Sequence, residues 1–397
     1  MIKELRENFN RGFNDDNYQN FLVELDSQNG SKIEFRIAET PIFLPGEFKH
    51  KILQAVNDIV STITSEHYLA NVSRAVPSGL LVPDEMPHSD MLSIDFAICL
   101  DENGSPTPRL IELQGFPSLY FYQVLLDRMF RKYFDIPNSV DNYFGGLDEE
   151  SYIALLREVI IDGADPENVV LLEIEPHKQK TLVDFVMTEK MLGIDHVCIS
   201  DVIKEGKNLY YRKNGKTIRI DRIYNRVIFD ELLARDDIKY SFQFQEELDV
   251  KWIPHPNWFF KISKYSLPYF DTEYVPQSRF LSEYDEYPTD IENYILKPLF
   301  SFAGSGVKFD VSHQLLDTIN DPENFILQRK IEYAPVIETP DIPAKAELRI
   351  LMVWDKDKKT YIPINNLVRL SKGKMMGVDF NKNKTWVGSS IAYFEKD

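Results

Sequence analysis

SIDFAICLDENGSPTPRLIELQGFPS, residues 93–118, carries two acidic residues where a buried strand wants none. The apolar runs LSIDFAIC (92–99) and RLIELQ (109–114) flank DENGSPTP, which is dense in turn formers, and read as two strands. Asp95 and Glu112 interrupt those runs, and a carboxylate in an apolar strand is costly unless something pairs with it. Glu112 and Gln114 lie two apart, so on a strand they share a face, and hairpin pairing lets Asp95 join it. Two carboxylates and an amide oxygen suit Mg²⁺, a hard cation that takes oxygen ligands. A surface hairpin with solvated acids is the plainer alternative.

Outward from this pair, residues 46–69 carry apolar side chains at helical spacing, and a further helix is expected around Leu119–Tyr133. From about Glu149 the texture changes. EESYIALLREVII reads as a helix, VVLLEIEP as a buried parallel strand, QKTLVDFVMTEKMLG as a helix capped by Gly193, and HVCISDV as a strand. That alternation predicts a small open α/β unit. A hairpin turning at Asn214-Gly215 follows. The last hundred residues read as mostly strands: YILKPL, GVKFDV, FILQRKI, AELRILMVW and IPINNLVRL. The expected class is α+β with mixed and antiparallel sheets, divided at 1–147, 148–270 and 271–397. The first ninety residues, including RIAETPIFLP, carry no interpretable motif.

A second chemical signal lies in ILKPLFSFAGSGVKF. A lysine closing an apolar strand, then a Ser/Gly loop, is a physical recipe for gripping phosphates. Lys297 supplies fixed charge, Gly304 and Gly306 let the backbone approach closely, and Ser301 and Ser305 add donors. No Gly-Lys-Ser/Thr ends the loop, so it is not a P-loop. An ordinary hairpin turn is the alternative. Lys264 in WFFKISKYSLPYF offers a second basic group, or an exposed lysine at a helix start. FILQRKIEYAPVI places Gln328 and Lys330 where a chain can meet an adenine edge, or where a strand simply ends. Glu347 and Arg349 should share a face of AELRILMVW.

The whole chain of 397 residues has 63 acidic against 45 basic residues, a net charge of −18, which disfavours general nucleic-acid or membrane binding. Nothing reads as a signal peptide or membrane span. Cys99 and Cys198 sit in strand-like runs without zinc spacing or a disulfide framework, so a reducing cytoplasm is expected. The seven histidines form no close pair with ligand spacing.

Taken together, these segments resemble circularly permuted ATP-grasp enzymes of the glutathionylspermidine-synthase-like group. Asp95 and Glu112-Leu113-Gln114-Gly115-Phe116-Pro117 look like the group's magnesium-binding pair of strands, with Gln114 for the usual Asn. LKPLFSFAGSGV is similar to its lysine-plus-glycine loop, and LEIEPHKQKTLVDF to its substrate-side, pre-ATP-grasp-like unit. FILQRKI looks like its adenine hinge, and IRIDRIYNRVIFDELL resembles a segment with Asp221, Tyr224 and a closing Arg226. The acidic strand precedes the glycine loop, which is the permuted order. Ser93 stands where the pattern carries an Arg. Arg74, Arg349 and Arg369 are the candidates to replace it.

The resemblance implies MgATP as cofactor and ligation of a carboxylate to an amine, a peptide or polyamine among them, through an acyl phosphate. Asp95, Glu112 and Gln114 would hold Mg²⁺. Lys264, Lys297, Ser301, Gly304, Ser305, Gly306, Gln328 and Lys330 would hold ATP. Arg226 and Arg349 would serve the substrate carboxylate or the transferring phosphoryl group. A non-catalytic nucleotide-binding protein and a phosphotransferase are the alternatives.

Overall fold

A computed structural model describes residues 1–299, 306–373, 376 and 380–396. The chain opens with two helices, α1 (Lys3–Gly12) and α2 (Asp15–Asn29), where sequence offered no motif. Asn14 caps α2 by accepting the Asn17 N–H, and Gly30 closes it at φ 76°, a left-handed turn that glycine takes without strain. Strand β1 (Ile42–Leu44) leads into α3 (Gly46–Ile63). The helix expected over 46–69 breaks at Thr64, because Ser65 accepts the Tyr68 N–H and starts a separate α4 (Glu66–Asn71).

The expected strand pair follows as β2 (Met91–Leu100) and β3 (Pro106–Gln114). They pair antiparallel, Asp95 opposite Glu112 and Ser93 opposite Gln114. The register slips between Asp95 and Phe96, so Ile111 is left without a partner as a β-bulge. Helix α5 (Tyr122–Tyr133) and the short β4 (Val140–Asp141) close this part.

The α/β unit begins with α6 (Glu149–Ile160), started by an Asp148–Ser151 capping box, and continues with β5 (Val169–Glu173), α7 (Leu182–Leu192) and β6 (Asp195–Cys198). Strands β7 (Ile203–Glu205), β8 (Asn208–Lys213) and β9 (Lys216–Ile220) form a three-stranded antiparallel sheet. Its hairpin turns on Asn214 and Gly215, both at positive φ. Strand β10 (Arg222–Asn225), the short α8 (Phe229–Leu233) and β11 (Lys251–Ile253) complete a parallel sheet in the order β11-β10-β5-β6. Its β5 is buried throughout, as an apolar run predicts.

After α9 (Trp258–Lys261), strands β12 (Ser278–Phe280), β13 (Tyr294–Pro298) and β14 (Phe325–Arg329) make a small antiparallel sheet with its own core around Leu296, Leu316 and Leu327. The strand expected over GVKFDV is not formed. Only Lys308 bridges back to Leu296. Long strands β15 (Lys345–Asp355) and β16 (Thr360–Ser371), with β17 (Gly388–Ser390), join the early hairpin in one five-stranded sheet, β17-β16-β15-β2-β3. Finally β18 (Ala392–Glu395) lies between β1 and β4, tying the two ends of the chain together. The architecture is mixed α+β. Strands from residues 91–114 and 345–371 share a sheet, so its chemistry is assembled from both ends of the chain.

One face of that sheet buries Ile94, Phe96, Leu348 and Ile350 with Phe48 and Ile52 of α3. The other face carries the polar residues. Gly115 anchors the end of β3: its N–H bonds the Ile262 carbonyl at 2.8 Å, and an added Cβ would lie 2.0 Å from the Trp258 carbonyl oxygen. Gly115→Ala should therefore destabilise the fold by about 1–3 kcal/mol through overpacking against backbone, read as a lower urea midpoint with an unchanged m-value.

Candidate functional site

On the polar face, alternation aligns Asp95 of β2, Glu112 and Gln114 of β3, Glu347 and Arg349 of β15, and Arg369 of β16. Asp95 is fully buried and receives two parallel bonds from Arg349, Nε to Oδ1 and Nη2 to Oδ2, each 2.7 Å. Arg369 Nη2 reaches Asp95 Oδ2 at 3.2 Å and also pairs with Glu347, whose other oxygen accepts from the Tyr333 hydroxyl at 2.9 Å. Burial raises the Glu347 pKa against the pull of Arg369. The result is a ladder of two carboxylates and two guanidiniums, running across three strands, in the bidentate geometry that Arg forms best. Ser93 is buried one step along β2, opposite Leu351, with no hydrogen bond to its Oγ. Arg349 and Arg369 thus stand near the position where Arg was missing, whereas Arg74 is on the surface.

The late basic strand meets this face. Lys297 of β13 is almost wholly buried, and its Nζ donates to the Ile111 carbonyl at 3.2 Å. The bulge explains the contact: Ile111, outside the ladder register, offers its carbonyl to the lysine. Among the described residues Lys297 makes no salt bridge, and burial lowers its pKa to about 8, opposed by Glu112. Lys264 is also buried, its pKa lowered by desolvation and raised back in part by Glu112 and Asp230.

A cavity of about 360 Å³ opens beside these groups. Glu112, Gln114, Lys264, Arg349 and Arg369 line one part of it, and Ser118, Glu173, Arg226 and Glu231 another. Gln114 Nε2 donates to Glu112 Oε1 at 2.8 Å. Arg226 is buried, its guanidinium 5.0 Å from the Phe116 ring centroid and 5.6 Å from that of Phe185. Among the described residues its Nε and Nη1 have no hydrogen-bond partner.

Of the residues expected in the site, Glu112, Gln114, Lys264, Arg226 and Arg349 line the cavity, whereas Lys297 does not line it and bonds the carbonyl of Ile111, the residue before Glu112. Asp95 is paired by both oxygens with arginine, so it faces a guanidinium where a cation ligand was expected. Gln328 is held inside the small sheet by Ser278 Oγ at 3.0 Å, and Lys330 is exposed and bonds the Glu292 carbonyl; neither lines the cavity. Gly306 adopts φ 74°, and Ser301, Gly304 and Ser305 lie outside the described residues. Among the described residues no group of three or more His, Cys, Asp or Glu could by itself hold a metal ion. For MgATP the buried lysines fit a phosphate chain, and Glu112 with Gln114 fits a Mg²⁺ that keeps phosphate and water oxygens in its shell.

Two buried acids were missed. Glu173 ends β5 at the cavity, where its pKa is pushed up to about 8 by burial, with Arg226 opposing. The C-terminal end of a parallel strand is where open α/β sheets place ligands, and a Glu closing VVLLE was the available signal. Asp184 accepts the backbone N–H groups of Leu119, Phe121 and Tyr122 at 2.8–3.0 Å, fixing the start of α5.

A search of solved structures finds this architecture in a glutathione synthetase-like effector from Globodera pallida, determined in its apo form. The TM-score is 0.57 at 9% identity, over 95% of this chain and 96% of that one. The fold is glutathione synthetase-like. This agrees with an ATP-grasp-like fold at the coarse level. Comparisons with protein families and with curated proteins give no match.

Two outcomes test this geometry. Asp95→Leu leaves buried guanidiniums short of a carboxylate and should lower stability by about 3–5 kcal/mol, whereas Asp95→Leu with Arg349→Leu should recover at least half of the loss in urea unfolding. Glu173 has a folded pKa raised above its unfolded value of 4.5. Its protonated form therefore adds stability that is full below pH 4.5 and is lost as pH rises through about 8. Glu173→Gln should flatten that slope in unfolding curves between pH 5 and 8.

Proposed function

We propose that the protein is an ATP-dependent carboxylate–amine ligase built on a circularly permuted ATP-grasp fold. The observation that carries this reading is Lys297: a nearly buried ammonium that makes no salt bridge among the described residues and bonds the carbonyl of Ile111, next in sequence to the cavity-lining Glu112. Such a group is unfavourable unless an anion visits it. Phosphate oxygens of ATP would meet Lys297 and Lys264, with Ser301, Gly304, Ser305 and Gly306 of the loop covering them, and Gln328 and Lys330 at the adenine side. Mg²⁺ would sit on Glu112 and Gln114, with Asp95 entering its shell only if Arg349 lets go, and would neutralise charge on the phosphates.

Arg226, whose Nε and Nη1 have no partner among the described residues, would orient a substrate anion, and Arg349 would steady the transferring phosphoryl group. In the reaction a carboxylate oxygen bonds to the γ-phosphorus as the bond to the β-γ bridging oxygen breaks and ADP leaves. The amine nitrogen then bonds to the acyl carbon, phosphate departs, and the amine proton passes to solvent. Positioning and charge neutralisation do most of this work. A cytoplasmic setting, with small-molecule carboxylate and amine partners, suits this chemistry.

A second reading, nucleotide binding without turnover, is favoured by the saturation of Asp95 with arginine and by the similar Globodera pallida protein being an effector. ADP release that requires both a carboxylate and an amine selects the ligase. MgATP binding with no release on amino acid, peptide or polyamine pairs selects the second reading.

Because phosphate needs Lys297 protonated and its free pKa is about 8, ATP affinity should fall as pH rises above 8, by up to about tenfold per unit. Lys297→Met should abolish the MgATP thermal shift, while Lys216→Met, at an exposed hairpin turn, keeps it.

A further inference from the structure

Beyond the Arg349–Arg369 ladder lies a second cavity of about 710 Å³. Ser118, Arg349 and Arg369 line both cavities, so the two guanidiniums are a common wall. The second chamber is different in character. Its sides include Leu22 of α2, Ile33, Phe35, Leu119 and Leu367, and none of the phosphate-side lysines reaches it. Its charged lining is Lys32, Arg36, Arg349, Arg369 and Lys382 against Asp26 and Glu34. Basic groups outnumber acids on this lining, yet Arg36 is paired with Glu39, and Arg349 and Arg369 with Asp95 and Glu347, so attraction for an anion here needs a local reason beyond net charge.

The arginines supply that reason. Arg349 spends Nε and Nη2 on Asp95, and Arg369 spends Nη2 on Asp95 and Glu347. Arg349 Nη1 and Arg369 Nε and Nη1 donate no hydrogen bond among the described residues, although Arg349 is only 8% exposed. The Arg369 side chain is 43% exposed, so these N–H groups are open to solvent and equally to the oxygens of an anion that enters the chamber beside its apolar walls. An amine would be repelled, a neutral hydrocarbon would leave the donors unmet, and a triphosphate would have apolar walls on several sides.

We propose that this chamber binds an organic carboxylate with an apolar body, its carboxylate on Arg349 and Arg369 and its body among Leu22, Phe35, Leu119 and Leu367. The inference concerns binding and stands apart from the ligase reading.

Isothermal titration of the full chain without nucleotide tests it, with octanoate, octanol, octylamine and acetate as probes. Octanoate should bind saturably at one site, at least tenfold more tightly than the other three. Leu22→Glu should weaken octanoate at least fivefold, whereas Leu22→Lys, of similar length and helix propensity, should keep or improve it. Equal affinities for octanoate and octanol, or equal effects of the two Leu22 variants, would overturn the proposal. Octanoate binding in a protein that shows no MgATP shift would leave the chamber standing and remove the ligase reading; a MgATP shift without octanoate binding would do the reverse.

Discussion

The Asp95–Arg349 pair is the constraint from which the rest of the polar face follows. Both partners are buried, and both carboxylate oxygens are used. Buried ion pairs of this kind add little net stability compared with apolar side chains of the same volume. What they fix is direction. With Arg349 locked on Asp95, Arg369 is drawn between Asp95 and Glu347, and Tyr333 closes on the remaining Glu347 oxygen. Four charges from β2, β15 and β16 hold a two-dimensional pattern on a sheet surface, and the cavity takes its charged wall from that pattern.

The bulge at Ile111 is the second element of the same design. A regular hairpin would commit every carbonyl of β3 to ladder bonds or to solvent. Inserting one residue between the Asp95–Glu112 and Phe96–Leu110 pairs frees a carbonyl at the point where β13 passes. Lys297 is buried with one hydrogen bond and no salt bridge among the described residues, and burial lowers its pKa to about 8 against the pull of Glu112. A lysine kept close to its titration point responds to an arriving anion more strongly than a solvated one.

Much of this was legible from residue alternation. Asp95, Glu112 and Gln114 were expected on one face because side chains repeat every two residues, and Glu347 with Arg349 for the same reason; the pairing register puts all five together. A helix end and a turn with local chemistry, Gly193 after α7 and Asn214-Gly215, were equally readable, whereas the Asp148 cap of α6 was not read. What period two cannot supply is the partner strand. Asp95 was read as facing a metal because nothing local announces that β15, some 250 residues later, lays Arg349 against it. The bulge has no residue signature in RLIELQ. The missed helices α1 and α2 are held by distant contacts, such as Arg6 to the Pro41 carbonyl and Tyr18 to the Ile37 carbonyl, with only a local cap at Asn14.

The two cavities give these local facts a common meaning. An arginine that only balanced Asp95 could be surrounded by core, as apolar packing would favour. Instead Arg349 and Arg369 are edged by space on two sides, one side polar with lysines and acids, the other apolar with a basic rim. Holding a guanidinium at such a partition requires that its position be fixed by something other than the ligands, since otherwise each ligand would drag it into its own chamber. Asp95 and Glu347 perform that service from within the sheet. The carboxylates are therefore best understood as the fixed frame of the site, and the arginines as the surface on which anions from either side can meet.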